Sequence, residues 1–311
     1  MIIIKQNDNL RPRNPLAATI GFFDGVHAGH RFLITSLREI AARNGLESAV
    51  ITFDEHPQRA LKADSPPMLL NTSGEKMRRL DSLGLDYCVI LPFTAQLADL
   101  TAVSFIRMLA HEWNIRMLLV GYDNRFGRNR ADGFEQYRLY GQECGMEVIE
   151  AGQMASTGPT VSSSRIRKLL AEGKVEEAEQ FLSYPYRIAG KIVHGQKIGR
   201  TIGFPTANIL IDEPLKLIPA HGVYAVDVLI NNREPYRGML YIGVRPTLGY
   251  GSETVLEVHI FNFEQEAYDG DISLELRQYF RGDISFGTLD ELKEQLQRDK
   301  QIIQDFFGNG H

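Results

Sequence analysis

Apolar positions in the first half of the chain follow two spacings in turn, one typical of a buried strand and one typical of an amphipathic helix. Short runs rich in β-branched residues alternate with longer segments in which apolar residues recur every three or four positions. The Thr72-x-x-Glu75 sequence is a capping box and opens one of the predicted helices. The predicted strands are Leu16–Phe22, Ser48–Phe53, Tyr87–Leu91, Met117–Val120 and Met146–Ile149, and the predicted helices are Arg31–Ala42, Thr72–Gly84, Val103–Trp113 and Gly133–Cys144. Strands that alternate with helices in this way predict an α/β domain, with a parallel sheet covered on both faces.

After Tyr186 the spacing becomes that of antiparallel strands. Apolar segments are separated by turn signals such as Asn231-Asn232 and Asp269-Gly270, and only Leu289–Phe306 has a helical spacing. The predicted strands are Arg187–Val193, Val223–Ile230, Arg237–Ile242, Val255–Phe263 and Ile272–Tyr279. Five or six strands with one closing helix predict a small antiparallel β-barrel followed by a C-terminal helix. The change of spacing divides the chain into two predicted domains, residues 1–184 and 185–311.

Composition fits two soluble domains. The chain has 311 residues, of which 43% are hydrophobic and 23% are charged. Its two cysteines, Cys88 and Cys144, form no CxxC pair, which favours a reducing environment and therefore the cytoplasm. The apolar run Met1–Ile4 is too short for a signal peptide, and no segment approaches the roughly 18 apolar residues that a membrane span needs.

Charge argues against nucleic acid as a partner. The net charge is −5 and no basic block occurs, whereas binding to a phosphate backbone calls for a concentrated basic face. A local basic pocket for a small phosphorylated ligand is still compatible with this balance. The sequence does not define an oligomeric state.

The segment Gly21–His30 has the features of a phosphate-binding loop, because it follows a predicted strand and precedes a predicted helix. Its glycines let the backbone approach a ligand, and the helix N-terminus offers free N–H groups. Its two histidines are three positions apart, so their rings can converge on one phosphate and stabilise the charge that develops during in-line displacement. The residues singled out here are Gly25, His27, Gly29 and His30. The alternatives are an ordinary surface turn or a zinc site, for which His56 is the nearby third ligand.

A second candidate for phosphate binding is Ser162–Arg167, which follows a loop rich in Gly, Ser and Thr and begins a helix. Ser163 and Ser164 can cap the helix, and Arg167 can bind the β- and γ-phosphates that leave. The alternative is a capped surface helix with solvated arginines.

The third candidate is Gly199–Asn208, which lies between two strand signals. Gly199 and Gly203 make a flexible loop that can lie over phosphates. Pro205 then restricts the backbone, so that Thr206 and Asn208 alternate along an extended segment and face one side. A hydroxyl and an amide oxygen are hard ligands suited to Mg²⁺. The alternative is an ordinary loop with a Pro-Thr turn.

Glu257 is the candidate general base of the second half. It lies in the apolar run Val255–Ile260, where Glu257 and His259 are predicted to face one side and Leu256 and Val258 the core. A carboxylate beside bound Mg·ATP can accept the proton of a hydroxyl nucleophile. The alternative is a solvated glutamate on the outer face of a strand.

These segments together resemble one enzyme family. Gly21–His30 resembles the HxGH signature of the nucleotidylyltransferase superfamily, and with its Phe-Asp-Gly element it resembles the FMN adenylyltransferase module of bifunctional riboflavin kinase/FAD synthetases. Ser162–Arg167 is similar to the serine-rich element of that module. Gly203–Asn208 resembles the GFPTAN signature of riboflavin kinases, and Leu256–His259 resembles their strand with the catalytic glutamate. The resemblance covers about residues 15–306 and implies a Rossmann-like first domain.

The resemblance also implies roles that the residues alone do not define. His56-Pro57 and Asp123–Gly127 match elements that line the flavin and ATP pockets of the family, and Arg281 follows the last predicted strand. The resemblance implies that Thr206 and Asn208 bind Mg·ATP and that Glu257 activates the ribityl 5′-hydroxyl of riboflavin. The residues implied to contact flavin are His56, Asp123, Arg125 and Arg281.

The implied activity is ATP-dependent phosphorylation of riboflavin to FMN, followed by adenylylation of FMN to FAD with release of pyrophosphate. Mg²⁺ or another divalent cation is expected, and no membrane partner is expected. Two alternatives remain. Glu55 and Asn124 depart from the family pattern, which is compatible with one half being a flavin-binding or sensing module. The histidine loop is also compatible with a tRNA-synthetase-like enzyme whose barrel binds RNA, although the acidic balance disfavours that hypothesis.

Overall fold

The computed structural model describes residues 1–122, 124–128, 131–152, 161–195, 198–231, 233, 235–246, 252–263 and 269–308. The chain divides into two compact units, Met1–Ser162 and Ser163–His311. Within the described ranges, no helix is both long and apolar enough to span a membrane.

The first unit contains a six-stranded sheet whose strands all pair in parallel, in the order β1-β4-β3-β2-β5-β6. The strands are β1 (Ile2–Lys5), β2 (Leu16–Ile20), β3 (Glu47–Phe53), β4 (Tyr87–Leu91), β5 (Ile115–Val120) and β6 (Glu147–Glu150). The helices are α1 (Ala28–Arg43), α2 (Pro57–Ala60), α3 (Ser73–Asp81), α4 (Ala95–Ala98), α5 (Ala102–Glu112) and α6 (Phe134–Glu143). The predicted α/β class is confirmed.

Helices cover both faces of this sheet, because successive residues of a strand point to opposite sides. On β2, Ala18 and Ile20 belong to a buried cluster that includes residues of α5 and α6. Ala17 of the same strand belongs to a second cluster that includes residues of α1 and α3. The central strand β2 is therefore buried on two sides, which explains why its sequence is a continuous apolar run.

The elements that the sequence did not predict in this unit are the strand β1 and the short helices α2 and α4. Ile4 is fully buried, whereas Ile2 and Ile3 are about half exposed, because β1 lies at the edge of the sheet and pairs only with β4. The capping box at Thr72 and Glu75 is confirmed at the start of α3, with both reciprocal hydrogen bonds present.

The second unit contains a closed antiparallel barrel in the order β10-β11-β8-β7-β12-β9, as predicted. Its strands are β7 (Tyr186–Val193), β8 (Ala207–Leu210), β9 (Gly222–Ile230), β10 (Tyr236–Pro246), β11 (Ser252–Ile260) and β12 (Asp271–Arg281). Its helices are α7 (Ser163–Ala171), α8 (Val175–Leu182), α9 (Ile198–Thr201) and α10 (Leu289–Gly308). Ile303 and Phe307 of α10 are buried in one cluster with Val223, Met239 and Phe261 on the outer face of the barrel.

The helices α7 and α8 are part of the barrel unit. The backbone N–H of Ala220 donates to the carbonyl of Leu170, and Arg277 on β12 lies 3.9 Å from the carboxylate of Glu179 on α8. The predicted boundary between residues 184 and 185 concerns the catalytic domains and stays a prediction, because compact units and catalytic modules need not end at the same residue.

Candidate active sites

The predicted histidine loop lies at the carboxyl end of β2, a central strand of the parallel sheet. The chain passes from β2 to β3 and β4 on one side, and later to β5 and β6 on the other. Such a reversal opens a crevice at the carboxyl ends of the strands, where ligands bind in open α/β sheets. The loop from Gly21 to His27 occupies this position and leads into α1.

The backbone of this loop is strained. Phe23, Gly25 and Val26 all have positive φ angles, of 56°, 83° and 36°. A positive φ is readily adopted by glycine but is unfavourable for a β-branched residue such as valine. The buried carboxylate of Asp24 accepts hydrogen bonds from the backbone N–H groups of Leu70 (3.0 Å) and Asn71 (3.2 Å), which helps to hold the turn. Asp24 lies in the Phe-Asp-Gly element, but its role was not predicted.

His27 and His30 are brought together, as the sequence predicts. His27 is the N-cap of α1, which therefore begins three residues before the predicted start, and its Nδ1 accepts a hydrogen bond from the backbone N–H of His30 at 3.4 Å. The two rings stack with centroids 3.6 Å apart and planes 16° apart. A Cβ atom on Gly29 would lie 3.3 Å from the His27 ring, so a larger residue there would press on that ring.

The surroundings of the His30 ring favour its neutral form. Burial lowers its pKa well below the usual value, and the neighbouring His27 and Lys76 lower it further. Within the described part of the chain, the buried Nδ1 atom of His30 has no hydrogen-bond partner. An unsatisfied buried nitrogen beside a helix N-terminus is well suited to meet an incoming phosphate.

Lys76 on α3 is a buried cation next to this loop that the sequence did not reveal. Its Nζ donates to the carbonyl oxygens of Phe22 and Phe53 and to the Thr52 hydroxyl, each at 3.2 Å. The ammonium also lies 4.1 Å from the centre of the Phe22 ring. Because Phe22 follows β2 and Phe53 ends β3, Lys76 joins the carboxyl ends of two neighbouring strands. Burial lowers the pKa of Lys76 to about 8, although Cys88 and Asp24 act in the opposite direction.

Stability of the first unit should therefore depend on Lys76 between about pH 8 and pH 10.5. The folded pKa of Lys76 is lower than the usual 10.5, so the unfolded chain binds more protons at this site in this window, and the Lys76 contribution to the free energy of unfolding rises with pH, by about 3 kcal/mol at most. Burial raises the pKa of the neighbouring Cys88 to about 12, so the Cys88 contribution falls with pH above about pH 9 and opposes that of Lys76. Urea unfolding followed by the fluorescence of Trp113, the single tryptophan and a fully buried one, measures this. Between about pH 8 and pH 10.5 the free energy of unfolding should rise more steeply with pH, or fall less steeply, in wild type than in Lys76→Met, and equal pH slopes for the two proteins would contradict the assignment.

Residues after β3 and β5 reach the same edge of the sheet. His56 is the N-cap of α2, and its ring meets Phe22 edge-on at 4.8 Å. The side-chain amide of Asn124 donates a hydrogen bond to the carbonyl of Ile20 at the end of β2 (2.8 Å). Asn124, one of the two residues that depart from the family pattern, therefore has a structural role. Arg125 is exposed and donates to the carbonyl of Asn124. Asp123 lies outside the described residues.

The zinc alternative is not supported. In the described ranges, no group of three or more His, Cys, Asp or Glu side chains is arranged to hold a metal ion, so His27, His30 and His56 do not form such a site.

Ser163, Ser164 and Arg167 lie in the first two turns of α7, in the second unit. Ser164 is exposed, whereas Ser163 and Arg167 are half-buried. Their assignment to the phosphates of ATP rests on the sequence, as serine caps and an arginine at a helix start, and stays a prediction.

In the barrel, Thr206 and Glu257 meet. The hydroxyl of Thr206 donates to Oε2 of Glu257 at 3.2 Å. Asn208 on β8 is the register partner of Glu257 on β11, so the three predicted residues lie side by side. A Cβ atom on Gly195 would overlap the Asn208 amide, which shows how closely that side chain is held against the backbone.

The glycine loop before Thr206 is tightly folded. Gly199 lies in the short helix α9, and its carbonyl accepts a hydrogen bond from the N–H of Phe204 at 2.8 Å. A Cβ atom on Gly199 would overlap the Phe204 carbonyl, and Gly203 has a φ of 86°. Both positions therefore require glycine for backbone reasons.

Arg281 has a structural partner. Its Nη2 lies 2.6 Å from Oδ2 of Asp299, a buried residue on α10, and its Nε donates to the same carboxylate at 3.1 Å. The bidentate pair joins the end of β12 to α10. Contact between Arg281 and flavin stays a prediction.

Comparison with known proteins matches both halves. A model of FAD synthetase matches residues 11–165, and a model of riboflavin kinase matches residues 182–307. A bifunctional riboflavin kinase/FMN adenylyltransferase of Escherichia coli K12 is 37% identical over 96% of this chain and 94% of its own length. Enzymes of the same description from Listeria monocytogenes (93% of this chain, 91% of theirs) and Bacillus subtilis (93% and 92%) are 35% and 34% identical.

A crystal structure of a protein from Streptococcus pneumoniae, described as a macrolide-efflux protein, has the same fold. It aligns with a TM-score of 0.89 and 31% identity, over 98% of this chain and 99% of that one. The efflux description belongs to that protein, whereas the models and relatives that match this chain are named for flavin enzymes. The chain therefore belongs to the bifunctional riboflavin kinase/FMN adenylyltransferase family, and it uses ATP to convert riboflavin to FMN and FMN to FAD.

Proposed function

We propose that each transfer takes place at the site in its own half, with FMN adenylylation at the histidine loop and riboflavin phosphorylation beside Glu257. The observation that carries this proposal is the presence of two separate polar clusters, one in each compact unit. The stacked pair of His27 and His30 lies at a helix start in the first unit, and the bonded pair of Thr206 and Glu257 lies on the barrel of the second.

In the adenylyl transfer, an oxygen of the FMN phosphate attacks the α-phosphorus of ATP, and the bond to the β-phosphate oxygen breaks to release pyrophosphate. The acceptor is itself a phosphate, so no nucleophilic side chain is needed. His27 and His30 stabilise the additional negative charge on the α-phosphate, and Gly25 and Gly29 leave room for the nucleotide. The negative charge raises the pKa of His30 and gives its unpartnered Nδ1 a partner.

Further residues of the adenylylation site are proposed from the resemblance. Ser163 and Ser164 contribute to phosphate binding at the start of α7, and Arg167 binds the β- and γ-phosphates that leave. These three residues precede residue 185 and so belong to the predicted adenylylation domain, 1–184, although α7 falls in the second compact unit. His56, Asp123 and Arg125 contact the flavin, and the edge-on contact of His56 with Phe22 supports its place beside the loop.

In the kinase reaction, Glu257 takes the proton of the ribityl 5′-hydroxyl, whose oxygen attacks the γ-phosphorus of ATP with ADP as the leaving group. Gly199 and Gly203 let the loop backbone lie over the phosphates. The hydroxyl of Thr206 and the amide oxygen of Asn208 fit Mg²⁺, since both are hard ligands in neighbouring positions next to a carboxylate. A bound Mg²⁺ would neutralise part of the charge on the transferred phosphate.

A cytoplasmic location is also proposed. Neither of the two cysteines, Cys88 and Cys144, takes part in a disulfide. Reduced thiols support a location in a reducing compartment.

Incubation of the full chain with riboflavin, excess ATP and Mg²⁺ should give FMN first and FAD after a lag, because FMN must accumulate before it is adenylylated. Supplying FMN in place of riboflavin should remove the lag. Chromatography with flavin fluorescence follows both products. FAD formation without release of free FMN and without use of supplied FMN would contradict the proposal of two separate sites. Full activity in excess chelator would contradict the requirement for a divalent cation.

A further inference from the structure

His259 lies on the outer face of β11, two residues after Glu257, yet it is only 6% exposed. The barrel interior is taken by its neighbours Val258 and Ile260. The His259 ring is instead covered from outside, where it meets the rings of Phe204 (5.4 Å) and Phe261 (5.7 Å). A histidine enclosed beside a candidate catalytic base requires a physical explanation.

The hydrogen bond of His259 defines the tautomer of its ring. Nδ1 lies 2.8 Å from the carbonyl oxygen of Pro205. A carbonyl oxygen only accepts hydrogen bonds, so Nδ1 carries the proton and Nε2 of the neutral ring does not. Among the described residues, the buried Nε2 has no hydrogen-bond partner. An apolar ring would fill the same space without burying an unsatisfied nitrogen, so packing alone does not account for a histidine here.

The bonded carbonyl belongs to the peptide between Pro205 and Thr206, and Thr206 donates its hydroxyl to Glu257. The strand β11 thus holds the loop at two points two residues apart, through the Glu257 carboxylate and the His259 ring. Movement of the Pro205 carbonyl would displace the Cα atom of Thr206, which belongs to the same rigid peptide plane and carries the hydroxyl side chain.

We propose that His259 is a positioning residue for phosphoryl transfer, whose Nδ1–H anchors the Pro205 carbonyl and so keeps the Thr206 hydroxyl in place beside Glu257. This inference rests on the proposed kinase site. It adds that the loop geometry, and not only the identity of Thr206 and Glu257, depends on one side chain outside the Gly203–Asn208 signature.

Three substitutions of His259 distinguish the effect of its hydrogen bond to the Pro205 carbonyl from the effect of packing of its ring. His259→Asn places an amide N–H near the position of Nδ1 and keeps the anchor. His259→Gln places its N–H near the position of Nε2 and loses the anchor. His259→Phe keeps the aromatic packing without any hydrogen bond. We expect kcat for riboflavin phosphorylation to fall about tenfold or more in the Gln and Phe variants and to recover to within a few-fold of wild type in the Asn variant.

The readouts are kcat and KM for riboflavin and ATP in the full chain, with thermal unfolding of each variant. Adenylylation of supplied FMN should be unchanged in all three and serves as the internal control. Wild-type kcat in a folded His259→Phe variant would overturn the proposal, since packing would then suffice. An equal loss in folded Asn and Phe variants would also overturn it. These two results do not depend on whether Glu257 is the general base. The Glu257→Gln variant tests that assignment separately.

Discussion

Replacing His30 with alanine should lower the rate of FMN adenylylation by about 100- to 1000-fold and leave riboflavin phosphorylation at the wild-type rate. Loss of one donor that stabilises charge in a transition state has an effect of this size. His30 is suited to that role because its ring stacks on His27 and its buried Nδ1 has no partner among the described residues. The kinase rate should not respond, because Glu257 and Thr206 lie in the other compact unit.

The measurement is the rate of FAD formation from supplied FMN, beside the rate of FMN formation from riboflavin in the same preparation. A matched control is His111→Ala, which removes an exposed histidine in the last turn of α5. That variant should behave as wild type in both reactions. Loss of both activities in a folded His30→Ala protein would argue against two separate sites.

The periodic parts of this fold could be predicted because their patterns are local. Strands such as Tyr87–Leu91 were predicted with the bounds that the structure has, and the capping box at Thr72 identified the start of α3 correctly. The strand β1 was missed because it is four residues long and two of its isoleucines are about half exposed, so it lacks the pattern of a core strand.

Residues whose roles depend on distant contacts could not be predicted. Lys76 looks like a solvated lysine of an amphipathic helix, and its burial depends on acceptors from the ends of two strands. The pairing of Arg281 with Asp299 joins a strand to a helix across 18 positions of the chain. His259 was predicted to share a face with Glu257, but its burial comes from the rings of Phe204 and Phe261, which a strand pattern cannot indicate.

Glu257→Gln should lower the rate of riboflavin phosphorylation by about 100- to 10,000-fold while supplied FMN is still adenylylated at the wild-type rate. The range is the usual contribution of a general base. Glutamine keeps the volume of the side chain and an oxygen that can accept from Thr206, but it cannot take up the proton of the ribityl hydroxyl. The loss should therefore appear in kcat more than in KM.

The matched control is the variant Glu275→Gln. Glu275 is a half-buried glutamate on β12 of the same barrel, and its ion pair with Arg277 is expected to contribute little to the free energy of unfolding. Equal losses in the two variants would indicate a general effect on the barrel. Riboflavin phosphorylation that survives Glu257→Gln would show that another group accepts the proton.

The two variants together test the independence of the sites. A mixture of His30→Ala and Glu257→Gln proteins should make FAD from riboflavin, although neither protein does so alone at a comparable rate. The first variant supplies FMN to solution, and the second adenylylates it. Because FMN must diffuse between molecules, the lag before FAD appears should shorten as the amount of the His30→Ala protein is raised. A mixture that makes FMN but no FAD would mean that the intermediate does not pass through solution, and the proposal of two independent sites would then be wrong.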